Sequence, residues 1–227
     1  MTSVAAEPLT IDVDDKRRVS ALLQAPEGAR AGYVFAHGAG AGMKHPFMTA
    51  LSDLLAGQGI ATLRYQFPYM EQGSRRPDVP AVAHAAVRAA VAEAERRLPG
   101  VALVAGGKSF GGRMTSQTQA LSPMHGVRGL VFVGFPLHPA GKPSDERAKH
   151  LDDVDVPMLF LEGTRDELAS ADFLQPVVDR LGARATLKWF DDADHSFHVP
   201  ARSGRKDADV LAEIAGDISA WIGRLSR

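Results

Sequence analysis

Apolar positions along this chain fall into two kinds of run. Short, nearly continuous blocks rich in β-branched and aromatic residues occur at Gly32–Ala36, Gly59–Arg64, Val101–Ala105, Gly129–Gly134, Pro157–Leu161 and Ala185–Phe190. Blocks of this length without alternation predict strands buried on both faces, as in a parallel sheet. Between them lie longer stretches with helical spacing: Phe47–Ala56, Val79–Leu98, Gly112–Leu121, Ala171–Leu181 and Asp207–Leu225. In the second, Val79, Val82, Ala83, Ala86, Val87, Ala90, Val91 and Ala94 share one stripe; in the last, Val210, Ile214, Ile218, Trp221, Ile222 and Leu225 do. Each stripe suits a helix lying on a sheet face. Strands alternating with helices predict a mostly parallel, doubly wound α/β sheet with helices on both faces. Two further runs, Leu9–Val13 and Arg18–Ala25, predict an antiparallel hairpin at one edge.

The connections Phe67–Pro80 and Phe135–Val156 are long and irregular. Both should leave the carboxyl ends of strands, where open α/β sheets place their ligands, so both are candidate substrate walls. Phe67, Tyr69, Leu137 and His138 are their candidate binding residues. The charged stretch Ser144–Leu151 leaves room for a small lid but no large cap domain.

Length and charge narrow the partner. The 227 residues suit one domain over 1–227. With 26 Lys and Arg against 27 Asp and Glu, the net charge of −1 gives no electrostatic footprint for nucleic acid, and a small molecule is the expected partner. Zero cysteines exclude disulfides, thiolate metal sites and a cysteine nucleophile. Met1 to Asp15 lacks the basic and apolar regions of a secretory signal, and the apolar stretch Val127–Leu137 is too short to span a bilayer. A cytoplasmic location and no membrane span are therefore expected; monomer and homodimer both stay open.

Candidate chemistry begins at Gly107-Lys108-Ser109-Phe110-Gly111, a G-x-S-x-G pattern between a predicted strand and a predicted helix. A serine there takes strained dihedrals on a sharp turn, and only tiny flanking residues let the neighbouring backbones pass. The embedded Gly-Lys-Ser also suggests a phosphate-binding loop, but that loop needs a glycine where the chain has Ala102 inside an apolar strand.

A serine hydroxyl needs a general base, and the base needs an orienting carboxylate. Where such a turn serves as a nucleophile elbow, the acid follows a later strand and the histidine follows the last one. Asp166 lies just past the Pro157–Leu161 strand, and His195 just past Ala185–Phe190. Of the eight histidines, His198 is the nearby rival to His195, and none sits in an H-E-x-x-H zinc pattern. A tetrahedral oxyanion also requires fixed N–H donors. Phe110, next after Ser109, supplies one; Ala39 in the turn His37-Gly-Ala-Gly-Ala-Gly42 is assigned the other, with Gly38 and Gly40 as alternative donors and His37, Gly38 and Gly40 also candidates at the substrate. Lys108, Arg113, Lys44, Lys142 and Arg75-Arg76 flank the predicted site edge and are read first as solvated charges, second as contacts for an anionic acyl group. Lys108 stands apart because it sits within the turn itself, and it is retained as a candidate binding residue.

Taken together these segments resemble the α/β-hydrolase fold over nearly the whole chain. The likeness rests on His37–Phe47, Arg64–Met70, Gly106–Arg113, Gly134–Pro139, Gly163–Asp166 and Ala193–Phe197, and is greatest to small bacterial dienelactone-hydrolase-like and testis-expressed-type hydrolases. The resemblance implies a metal-free serine hydrolase without a cofactor, its triad Ser109, Asp166 and His195, cleaving an ester, thioester or related acyl bond. Dienelactone hydrolases proper carry a cysteine where this chain has Ser109, so their lactone specificity does not transfer. Other uses of the scaffold are a non-catalytic binding protein, or an acyltransferase or perhydrolase on the same triad.

Overall fold

The computed structural model describes residues 4–225, so the first three residues of the amino-terminal stretch read above lie outside it. Its centre is an eight-stranded sheet. In chain order the strands are β1 (Glu7–Asp14), β2 (Arg17–Gln24), β3 (Ala31–Ala36), β4 (Ile60–Tyr65), β5 (Leu103–Lys108), β6 (Val127–Val133), β7 (Met158–Gly163) and β8 (Ala185–Phe190). They lie side by side as β1-β2-β4-β3-β5-β6-β7-β8. The β1–β2 and β2–β4 pairings are antiparallel and all others parallel, which puts the expected hairpin at one edge.

Among the described residues the α-helices flanking the sheet are α1 (Pro46–Ala56), the single turn α2 (Pro68–Glu71), α3 (Pro80–Arg97), α4 (Phe110–Leu121), α5 (Ala171–Leu181) and α6 (Asp207–Leu225). Alternation along β3 divides the core. Tyr33 and Phe35 join Met48, Leu51 and Leu55 of α1 and Ile214 and Ile218 of α6, whereas Val34 and Ala36 face Ala86, Val87 and Ala90 of α3 and Met114 of α4. Period-2 side chains thus supply two apolar layers from one strand. Proline opens both α1 and α3, where its missing N–H costs no helical hydrogen bond. Among the described residues no helix is long and apolar enough to cross a membrane.

Two local differences from the sequence pattern bear on the site. Strand β5 runs three residues beyond Ala105, because Gly106 and Gly107 stay in register with Phe35 and Ala36 of β3 and with Val131 and Phe132 of β6. A Cβ on Gly106 would lie 1.9 Å from the Val131 carbonyl oxygen, so its glycine is what admits it to the ladder. The second difference concerns Glu146–Asp153, the stretch expected to form a small lid. It is a 3₁₀ helix that buries Ala148 and Leu151 and is clipped to α4 by a 2.8 Å hydrogen bond between Ser116 and His150. Arg180 of α5 holds its far side through Asp152 at 3.0 Å.

Candidate active site

The elbow is built from backbone. Ser109 has φ 50° and ψ −115°, and its N–H donates to the Val133 carbonyl at 3.2 Å. Such a dihedral pair is costly for any side-chain-bearing residue and persists only when its surroundings enforce it. Here they do. A Cβ on Gly107 would approach the Ala36 carbonyl oxygen to 2.4 Å, and one on Gly111 the His37 carbonyl oxygen to 2.6 Å. The two glycines let β5 and α4 pass against the end of β3 and push the serine up between them.

Asp166 follows β7 in a turn closed by its own N–H to Gly163 at 3.1 Å, and is 4% exposed. Its Oδ1 accepts from the Leu168 N–H at 2.7 Å, and its Oδ2 lies 2.6 Å from His195 Nδ1. His195 Nε2 lies 2.9 Å from Ser109 Oγ. A carboxylate only accepts, so Nδ1 carries the imidazole proton and Nε2 accepts from the serine hydroxyl. His198, the sequence rival, points instead to Asp207 at 2.9 Å on the surface, and that carboxylate raises its pKa.

The loop carrying His195 has no regular structure and is held from several sides. Asp194 Oδ1 accepts from the N–H groups of Ser196 and His198 at 2.7 and 3.0 Å, while Phe197 sits at φ 63°. Gly163 lets the loop lie against β7, since a Cβ there would meet the Ala193 carbonyl oxygen at 2.2 Å. Lys108 Nζ donates to the His195 carbonyl at 2.5 Å.

On the other side of Ser109 the turn after β3 is supported from below. His37 is fully buried; its Nδ1–H donates to the Gly38 carbonyl at 2.7 Å and its Nε2 accepts from the Phe67 N–H at 3.1 Å. Burial lowers its pKa to about 4, keeping the imidazole neutral, as this donor–acceptor arrangement requires. The Tyr69 hydroxyl accepts from the Gly40 N–H at 3.0 Å, which removes Gly40 as an oxyanion donor. The N–H groups of Ala39 and Phe110 have no hydrogen-bond partner among the described residues.

A cavity of about 280 Å³ opens over the serine. Its floor is Gly38, Ala39, Ser109 and His195; its apolar wall is Ala41, Phe47, Met48 and Leu168; and His45, Lys108 and Ser196 complete the rim. The placement corrects much of the expected substrate wall. His37, Gly40, Phe67, Tyr69, Leu137 and His138 do not line the cavity. Phe67 packs edge-on against Phe110 with centroids 5.1 Å apart, and Tyr69 props the turn, so both act from beneath. Leu137 is wholly buried, and the His138 N–H fixes the Leu168 carbonyl at 3.0 Å, placing a wall residue without being one. Lys44, Arg75, Arg76, Arg113 and Lys142 also lie off the cavity.

Several site residues escaped the sequence reading. His45 caps α1, its Nδ1 accepting from the Phe47 N–H at 3.3 Å, and the H-P-F start of that helix was its only signal. Glu162 is a fully buried carboxyl whose Oε1 accepts from the Phe135 N–H at 2.5 Å. Burial first, then the neighbouring Asp166 charge, push its pKa well above the usual carboxylate range. Among the described residues, no three His, Asp or Glu side chains are grouped to hold a metal ion.

Comparison with known proteins supplies the family. Residues 29–223 match the model of the alpha/beta hydrolase domain. The chain belongs to the alpha/beta hydrolase family. Among solved structures, a dienelactone hydrolase from Anabaena variabilis superimposes with a TM-score of 0.80 at 19% identity, over 98% of this chain and 99% of that one. An α/β serine hydrolase without a lid, from Xanthomonas campestris, gives 0.75 at 20% identity, covering 97% of each chain. Est1E from Butyrivibrio proteoclasticus, solved with ferulic acid bound, gives 0.71 at 17% identity over 92% and 98%. At these identities the likeness is one of fold. The α/β-hydrolase expectation holds in this chain, and so does the absence of a large cap, since the sheet connections carry none.

Proposed function

We infer that this α/β hydrolase is a serine esterase or thioesterase acting on small acyl groups. The observation that carries the inference is the unbroken relay from Asp166 through His195 to Ser109, at 2.6 and 2.9 Å, opening onto a cavity floored in part by Ala39, whose N–H is unengaged, as is that of Phe110 next to Ser109. In this mechanism His195 removes the hydroxyl proton as Ser109 attacks the acyl carbonyl. Asp166 stabilises the resulting imidazolium and holds its tautomer. The Ala39 and Phe110 N–H groups receive the oxyanion, the second helped by the positive end of α4. The imidazolium then protonates the leaving alkoxide or thiolate, and water, activated by His195, releases the acid from the acyl-serine.

Cavity size argues for the substrate class. A volume of 280 Å³ lies at the lower end of ligand sites, and its Phe47, Met48 and Leu168 wall suits a short aliphatic or single-ring acyl group. The ferulic acid bound to Est1E makes a hydroxycinnamoyl ester a reasonable member of a test panel. A chain-length series of p-nitrophenyl esters and acyl-CoA thioesters tests both parts. We expect kcat/KM to peak at short acyl chains and fall steeply once the cavity is filled. Flat kcat/KM out to long chains contradicts the size argument; no turnover of any member contradicts the activity and favours a binding or scaffold role.

A further inference from the structure

Lys108 lies between Gly107 and Ser109 and touches the cavity rim, yet its ammonium is directed at the backbone of the neighbouring loop. The stem passes under Gly38, where a Cβ would meet Lys108 Cγ at 3.6 Å. The ammonium ends against the exits of three strands. Its Nζ lies 2.8 Å from where a Cβ on Gly134 would stand, 5.4 Å from the Phe197 ring centroid and 2.5 Å from the His195 carbonyl oxygen. That Cβ position is also 3.4 Å from His195 Cε1, so Gly134 leaves open the one space that ammonium and imidazole share.

Resting on the hydrolase reading above, we propose that Lys108 is a positioning residue for His195: its ammonium grips the His195 carbonyl and holds the imidazole between Asp166 and Ser109. Three features distinguish this from a contact with an anionic acyl group. First, the ammonium is already engaged with a carbonyl at charge-assisted hydrogen-bond distance. Second, Asp166 at the end of β7 and Asp194 beside His195 face it as anions, with the buried, proton-retaining Glu162 carboxyl as a third neighbour, so an incoming anion meets a site already supplied with negative charge. Third, the loop it grips lies outside any strand or helix and is closed only by local turn hydrogen bonds around Asp194, whereas Ser109 sits at a strand–helix junction and Asp166 directly follows a strand. Holding charge there has a cost. Burial pulls the Lys108 pKa down to about 8, against the pull of Asp166, Glu162 and Asp194 upward. The folded pKa is below the unfolded one, so the charged lysine disfavours folding at neutral pH, and that penalty is relieved as pH rises from about 8 toward the ordinary lysine value. A lysine kept purely for stability would be a poor choice at this position.

The test uses the full chain and a neutral short-chain p-nitrophenyl ester, with Ser109→Ala as blank. We expect Lys108→Met to melt no lower than wild type, to lose roughly 10- to 100-fold in kcat as a misplaced catalytic group does, and to keep KM within about twofold. Wild type should lose kcat above about pH 8, as the ammonium is discharged, and the variant should lack that alkaline limb. A second readout does not depend on turnover. The His195 Nδ1 proton shared with Asp166 should give a far-downfield proton NMR signal in wild type that is shifted or lost in Lys108→Met. Lys108→Gln, which keeps a donor without the charge, stands in if the Met variant does not fold.

Unchanged kcat and pH profile in the variant overturn the proposal. So does a rise in KM confined to esters of anionic acyl groups, which would make Lys108 a substrate contact. A downfield signal missing from wild type, or identical in both proteins, overturns it as well. If wild type shows the signal but turns over no ester, the hydrolase reading fails alone, and the signal in the variant still decides whether Lys108 positions His195.

Discussion

The two sides of the candidate site are built by different means. Ser109 is fixed by backbone packing: glycines at 107 and 111 against β3, a helix starting at Phe110, and a strand that reaches Lys108. His195 sits on an irregular loop held by side chains, Asp166 from the end of β7, Lys108 from β5 and Asp194 from the loop itself. A backbone-built site is stiff and intolerant of any added atom. A side-chain-built one is adjustable and depends on the charge states of its anchors.

The contrast is broken most severely at the acid. Asp166→Asn keeps the shape but changes what Oδ2 can do at His195 Nδ1, favouring the wrong tautomer, and should lower kcat by about 10⁴-fold with little change in melting temperature. A loss under tenfold would mean that the loop holds its histidine without that carboxylate.

On the backbone side, Gly107→Ala forces a Cβ to 2.4 Å from the Ala36 carbonyl, a rigid neighbour, and should destabilise the fold by about 3 kcal/mol or more in chemical denaturation. Full stability would show that β3 and β5 can separate, and that the elbow is softer than its geometry suggests.

The two sides should also differ in their response to pH. Beneath the turn, His37 titrates only near pH 4 when folded, below its ordinary value of 6.5. The unfolded chain therefore binds the extra proton first as pH falls, and the stability held by neutral His37 is present above about 6.5 and lost on the way to about 4. Comparing wild type with His37→Gln by urea denaturation isolates this group. The stability advantage of wild type should shrink by about 2 kcal/mol between pH 7 and pH 5. A constant difference contradicts a buried neutral histidine. Acid thus weakens the support under the oxyanion turn, whereas alkali discharges the lysine under the histidine loop.

Tyr69→Phe is the mildest probe. It removes only the hydroxyl that accepts from the Gly40 N–H, and should cost about 1 kcal/mol with a several-fold drop in kcat at unchanged KM. A change in KM alone would place Tyr69 on the substrate after all.

What the sequence made legible follows the same division. The elbow is a local pattern: five consecutive residues between an apolar run and a helix start state both the turn and its steric demand. The strand order placed Asp166 and His195 at one edge, because each follows a strand by only a few residues, although β8 proves to be a half-buried edge strand rather than one covered on both faces. The cavity wall was not legible. Its members, Phe47 and Met48 on α1 and Leu168 beyond β7, are apolar residues like any others in the core until the chain is folded. The long connections at 67–80 and 135–156 were natural wall candidates, yet local composition does not say which way a loop turns. Tyr69 turned under the glycine turn, and His150 turned onto α4. Lys108 was conspicuous by position, but its target is a carbonyl 87 residues away.

The central claim is that Ser109 is a nucleophile activated by His195. It is tested most directly by intact-mass and peptide mass spectrometry after treating the folded protein with a fluorophosphonate. The account predicts a single adduct on Ser109, formed in wild type and absent from a folded Ser109→Ala variant. Wild type that stays unlabelled while fully folded, or a variant that still takes up one equivalent, would contradict it.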